Sequence, residues 1–294
     1  MWLGRNMPRR VGSAIVKLAV PWIARRRQSA LVRGIRVNQS VARGLPLDAP
    51  ELDQAVRQVL YNAGRGYYEV YHRLGQGREA VQEAVTFSPE MFTCLQQAQD
   101  QGRGVLFIGP HIGNLDLGLL AFAAHGLSMQ AITYAAPPGG YQLQNKMRAD
   151  AGYIVTPADG RAVKMALRRL RDGGIVVTGM DRPLSPAEQG KPVQFFGLPA
   201  PLPTGYIRLA LSTNAQLHMI QVEPTGGGTY SADVVSAYSV STSPPIELIR
   251  TNNRKKDTIL NTERALSMAE EIIRARPEEW MMFHPVWPQL LGGG

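Results

Sequence analysis

The stretch GVLFIGPHIGNLDLG, residues 104–118, decides how the rest of the chain is read. It begins with four consecutive apolar residues, Val105 to Ile108, bounded by Gly104 and Gly109. A run that short between glycines has the length of a strand covered on both faces. A helical stretch from Asn114 to Ala124 follows at once. A strand feeding directly into a helix is the repeating unit of layered α/β sheets, in which ligands gather at the carboxyl ends of strands. His111 stands two residues past this strand, and Asp116 five residues further on.

The same alternation recurs downstream. Strands are predicted over Tyr153–Thr156, Ile175–Met180 and Leu217–Val222, with helices over Arg161–Arg171, closed by Gly173 and Gly174, and over Thr204–Leu211. Upstream, helical spacing covers Ala49–Leu74 and Pro89–Gln99. Near the C-terminus, Thr229–Val240 reads as a strand or hairpin, Thr258–Ala275 as a surface helix and Trp280–Phe283 as a last short strand. The fold class is therefore a single α/β domain with a central, mostly parallel mixed sheet flanked by helices. Ligand contacts are expected just after strands, at Pro110–Asp116, Asp181–Pro183 and Glu223–Pro224.

The net charge of +9 is unevenly placed. Met1 to Leu47 holds ten Lys or Arg and no acid, while the remainder carries 22 bases against 23 acids. Val11, Ile15, Leu18 and Trp22 fall at helical spacing between basic clusters, the pattern of an interfacial amphipathic helix that Pro21 should kink or end. The apolar stretch is shorter than a spanning helix and is interrupted by Lys17, so it reads as peripheral, neither a span nor a signal peptide. Residues 1–47 are expected to form a basic membrane-surface arm and 48–294 the catalytic domain. The stripe has two readings, contact with an anionic membrane on the cytoplasmic face or packing on the protein's own core. Nucleic acid is disfavoured as a partner, because no recognition motif accompanies the charge.

Single Cys94 excludes an internal disulfide or a thiolate cluster and reads as a buried bystander. No pair among the five histidines has ligand spacing, so neither metal nor cofactor is expected. His111 is the candidate general base, with Asp116 to orient it. Spacing alone is a weak signal: His218 and Glu223 repeat it inside a predicted strand, where positions five apart face opposite sides. No nucleophile elbow is present, which points to direct attack by an acceptor hydroxyl.

Residues 104–118 resemble the catalytic block of the bacterial lysophospholipid acyltransferase-like superfamily, in the branch of lipid A and phosphatidylinositol mannoside acyltransferases. Further blocks agree in order: Asn145–Arg148 with Gly152, Gly179–Arg182, Val193–Gly197, and Pro277–Trp280 through His284 and Trp287. The resemblance implies an O-acyltransferase that moves a fatty acyl chain from acyl-CoA or acyl-carrier protein to a glycolipid or lysophospholipid-type acceptor. It implies His111 and Asp116 as the catalytic pair, with Asn114, Arg148, Arg161, Asp181, Arg182, Phe195 and Phe196 as candidate substrate contacts, Asp181 and Arg182 at the rim. Arg148 and Arg161 also read as solvated helix residues, and the apolar pair Phe195–Phe196 before Gly197 suits the core as well as an acyl pocket. Asp116 stands where most lipid A enzymes carry Glu, and the His-Ile-Gly-Asn-Leu-Asp context is closer to the mannoside enzymes, which tilts the acceptor towards glycolipids other than lipid A. Two alternatives stay open, an inactive lipid-binding protein on the same fold and an N-acyltransferase acting on a soluble amine.

Overall fold

The structure is a computed structural model that describes residues 7–134, 139–188, 190–225 and 237–292. In chain order the main elements are α1 (Arg9–Ala24), α2 (Ala30–Arg43), α3 (Glu51–Gln76), α4 (Arg78–Glu83), β1 (Val85–Phe87) and α5 (Pro89–Asp100). Next come β2 (Val105–Gly109), α6 (Leu115–Ala124), β3 (Met129–Thr133), α7 (Gly139–Asp150), β4 (Ile154–Pro157), α8 (Gly160–Arg171) and β5 (Ile175–Gly179). A hairpin of β6 (Val193–Phe195) and β7 (Leu198–Ala200) precedes α9 (Gly205–Ser212), β8 (Gln216–Thr225), β9 (Ala237–Thr242) and α10 (Arg254–Ala275).

Seven strands form one sheet in the order β1-β9-β8-β2-β5-β3-β4, parallel throughout except for the antiparallel β8–β9 pair. The unbroken apolar run of β2 now has its reason. Leu106 and Ile108 pack into the cluster that holds α9 and α10, while Val105 and Phe107 pack into the one that holds α5 and α6. Alternate residues thus face two covered sides, and no position along the strand tolerates polarity.

The predicted strands at residues 105–109, 154–156, 175–179 and 217–222 are all present, and so are the predicted helices. Of Thr229–Val240, residues 229–236 lie outside the described residues, and the remainder begins β9. Trp280–Phe283 is no strand: Trp280 makes a single antiparallel bridge to Ile112. Pro21 lies within the last turn of α1, which runs on to Ala24.

The N-terminal segment divides in two. Helix α2 is part of the core, with Val37 and Ala42 in the main cluster and Asn38 hydrogen-bonded to the Met282–Val286 segment. The expected basic arm is therefore not one uniform surface element, since residues 30–43 are needed to bury the C-terminal strap. Helix α1 lies on α3 through Val16, Val20 and Ile23. Its other face carries the stripe read from the sequence, and all four residues are exposed: Val11 47%, Ile15 48%, Leu18 78% and Trp22 59%. Among the described residues the stripe belongs to no core cluster. No helix among the described residues is long and apolar enough to cross a membrane.

Candidate active site

The register of β2 against β5 builds the site. Gly109 and Gly179 are pairing partners, so the residues two places beyond each, His111 and Asp181, emerge side by side. The Asp181 carboxylate is fully buried and takes three donors: His111 N–H at 2.9 Å, His111 Nδ1 at 2.6 Å and the Trp280 indole Nε1 at 2.7 Å. Burial alone would raise its pKa, but the electrostatic attraction of the His111 imidazole and the three hydrogen bonds outweigh it and hold Asp181 below the usual carboxylate value. An ionised carboxylate at Nδ1 fixes the proton there and leaves Nε2 as the basic nitrogen.

Asp181, then, and not Asp116, is the carboxylate that touches the His111 ring. Gly113 (φ 62°) turns the chain between His111 and α6, and Asp116 in the first turn of that helix faces α7. There it accepts from Arg148 Nε at 3.0 Å and Nη2 at 2.5 Å, while Arg148 Nη1 donates to Asn145 Oδ1 at 3.0 Å. Burial would lower the Arg148 pKa, but Asp116 outweighs it and the guanidinium stays charged.

Two connected chambers meet at His111. The inner one, about 220 Å³, runs between α3, α6 and the sheet and is walled by Val70, Leu119, Ala131, Val177 and Ile220, with the Asp116–Arg148 pair on its side. The outer one, about 580 Å³, is more polar, with Asp159, Glu188, Lys191, Thr204 and Arg208 on its walls. His111, Thr178, Gly179 and Arg182 line both.

Other sequence candidates fall elsewhere. Asn114 borders the inner chamber, but its side chain caps α6 at Leu117 N–H and donates to Gly66 O, so its hydrogen bonds go to the fold. Arg161 is exposed on α8 and lines neither chamber. Phe195 and Phe196 line neither as well. They form an aromatic cluster with Trp280 and Trp287, Phe195 stacked on Trp287 and Phe196 on Trp280. Phe196 (φ 53°) and Gly197 (φ 72°) make the two-residue turn between β6 and β7, which explains the Phe-Phe-Gly sequence as hairpin chemistry behind Trp280. His218 is a buried strand residue bound to Ser243 O and Gln216, and Glu223 pairs with Arg276, so that spacing is structural. Cys94 is buried, its thiol pushed up to about 11 by burial.

Two contributors were not singled out as site residues from sequence. Trp280 reaches Asp181 because residues 111–113 pair with residues 279–281, through Met281 N–H to His111 O, the Ile112–Trp280 bridge and Gly113 N–H to Glu279 O. His284 borders the inner chamber and bonds Arg182. A signal for Asp181 existed, since both GVLFIG and IVVTG end in a glycine two residues before an ionisable side chain.

A sequence model of the bacterial lipid A biosynthesis acyltransferase family matches residues 1–289. A phosphatidylinositol mannoside acyltransferase of Mycobacterium tuberculosis (strain CDC 1551 / Oshkosh) is 26% identical over 197 residues, 66% of this chain and 57% of that protein. One from Mycolicibacterium smegmatis is 24% identical over 248 residues, 82% of this chain and 74% of that protein. The chain thus spans little more than half the length of the M. tuberculosis relative.

Proposed function

Because the chain belongs to the bacterial lipid A biosynthesis acyltransferase family, we propose that it transfers a fatty acyl chain from an acyl-CoA or acyl-carrier-protein thioester to a lipid-borne hydroxyl. The acceptor is of glycolipid or lysophospholipid type. The observation that carries this reading is the His111–Asp181 contact where a mostly apolar inner chamber meets a larger outer one with more polar walls. With its Nδ1 proton held by Asp181, the imidazole takes the acceptor hydroxyl proton on Nε2 as the oxygen attacks the thioester carbonyl. The imidazolium then protonates the departing thiolate. The acyl chain occupies the inner chamber and the acceptor headgroup the outer one. Asp116 acts through Arg148, holding it against the inner wall, and is a positioning residue.

The relatives are named for phosphatidylinositol mannosides, which makes a mannosylated phospholipid the first acceptor to try. Peripheral docking on the cytoplasmic face of an anionic membrane fits the exposed stripe of α1 and the bases that flank it. Leu18 and Trp22 would enter the interface, with Lys17, Arg25 and Arg26 at headgroup level.

The test is mass spectrometry of lipids from cells with the gene, without it, and with a His111→Ala version. The expected result is one lipid class short of an acyl chain in the last two. No change of acyl count in any lipid would sink the proposal.

A further inference from the structure

Addition of an oxygen to a thioester carbonyl leaves a negative charge on the carbonyl oxygen, and that charge needs a donor already in place. The backbone amides nearest His111 are engaged. His111 N–H goes to Asp181 at 2.9 Å, Ile112 N–H to Pro110 O at 2.8 Å and Gly113 N–H to Glu279 O at 3.0 Å. Arg148 is engaged as well, by Asp116 and Asn145.

Arg182 is placed differently. Among the described residues it is the only Lys or Arg that lines both chambers with His111. It directly follows Asp181 in the segment after β5, and while Asp181 holds the imidazole at Nδ1, Arg182 lines both chambers beside it. Its guanidinium lies 4.2 Å from the Tyr134 ring centre and 5.2 Å from that of Tyr141. Among the described residues its one hydrogen-bond partner is His284, where Nη2 donates to Nε2 at 3.0 Å. The other N–H groups of a five-donor fork are left for a ligand. His284 is itself held from behind, because Asn38 Nδ2 donates to the carbonyls of Met282 and His284, both at 2.8 Å, and Asn38 Oδ1 accepts from Val286 N–H at 2.9 Å. Burial, then the neighbouring charge of Arg182, lower the His284 pKa, which keeps its ring a neutral acceptor.

We propose that Arg182 is the oxyanion donor of the transfer and that His284 is the positioning residue that aims it. The assignment rests on the acyl-transfer reading above. In the first step the acceptor oxygen bonds to the carbonyl carbon, its proton passes to His111 Nε2, and the carbonyl π pair moves onto the oxygen facing Arg182. In the second that pair returns, the carbon–sulfur bond breaks, and the thiolate takes the proton from His111. No other reactant is needed.

The test uses the full chain with palmitoyl-CoA and vesicles containing phosphatidylinositol mannoside, following thiol release and acylated lipid. Arg182→Ala should lose roughly 10²–10³-fold in kcat with KM for palmitoyl-CoA little changed, and added guanidinium should restore part of it. His284→Gln, which keeps an acceptor oxygen, should retain most activity, while His284→Phe should lose about tenfold or more in kcat at unchanged KM. If Arg182→Ala does not fold, Arg182→Lys is read by the same split. An Arg182 variant with wild-type kcat, or with its whole loss in KM, overturns the assignment while His111→Ala remains inactive. Equal activity of His111→Ala and wild type, or a silent wild type, overturns the acyl-transfer reading and Arg182's role with it.

Discussion

A Cβ at position 179 would stand 2.6 Å from His111 Cε1, so the imidazole lies directly on the backbone of Gly179. The ring is clamped between that glycine and the Asp181 carboxylate and cannot give way without losing its 2.6 Å contact at Nδ1. Gly179→Ala should therefore keep the far-ultraviolet dichroism of the wild type and lose at least about tenfold in kcat. Full activity in a folded Gly179→Ala protein would show that the seat of the ring does not matter.

Asp181→Asn preserves volume but removes the charge that holds the Nδ1 proton. An amide there accepts on one side only and puts a donor against the ring or the Trp280 indole, where the carboxylate accepted from both. We expect a loss of roughly 10²–10⁴-fold in kcat, well beyond what any change in thermal stability explains. Steady-state kinetics beside a melting curve checks this.

Asp116 and Arg148 form a mostly buried pair, with side-chain exposures of 21% and 12%. Asp116→Asn leaves a buried guanidinium without its counter-charge, which should cost about 3 kcal/mol of stability in urea unfolding. The double variant Asp116→Asn/Arg148→Met should recover much of that stability without recovering activity. If the single variant is as stable as wild type, the pair is not a structural strut.

Leu18 and Trp22 are exposed apolar side chains, 78% and 59% accessible, and belong to no core cluster among the described residues. Leu18→Glu/Trp22→Ala should leave the melting temperature within a degree or two and weaken sedimentation with anionic vesicles by about tenfold or more. Wild-type binding should fall as salt rises, because bases flank the stripe. Equal vesicle binding by both proteins would remove α1 from membrane docking.

Acid should destabilise the fold through its buried imidazoles. His218 lies within the sheet, and burial lowers its pKa below the usual value near 6.5. The folded state binds that proton less readily than the unfolded chain, so the stabilising share is complete above about pH 6.5 and is lost as pH falls below it. Urea midpoints should be flat from pH 8 to 7 and decline towards pH 5.5, and His218→Gln should reduce that slope. Asp181, held low, adds its own loss only below about pH 4, the unfolded carboxylate range.

Much of the fold was legible because local patterns carry it. Glycine-bounded runs, apolar at 105–108 and at 175–177 before Thr178, mark buried strands, and the amphipathic stripe of Val11, Ile15, Leu18 and Trp22 marks α1. The position of His111 just after β2 was legible from the glycine-bounded strand before it. Other features were not. Helix α2 carries buried polar residues, Asn38, Gln39 and Ser40, that bond to segments far along the chain or to its own end, so its inward face does not look apolar in sequence. The Phe195–Phe196 pair gave the same apolar signal for core and for a lipid pocket, and only the position of Trp280 and Trp287 decided between them.

The sequence by itself determined the strand-and-helix order, the place of His111 after a strand and the basic amphipathic start. The tertiary structure alone decided which carboxylate touches the His111 ring. Asp116 is the nearer acid in sequence, but β5 lies beside β2 in the sheet although β3 and β4 intervene in the chain. Register between parallel strands is a non-local property, and pairing Gly109 with Gly179 brings Asp181 to His111 across seventy residues of sequence.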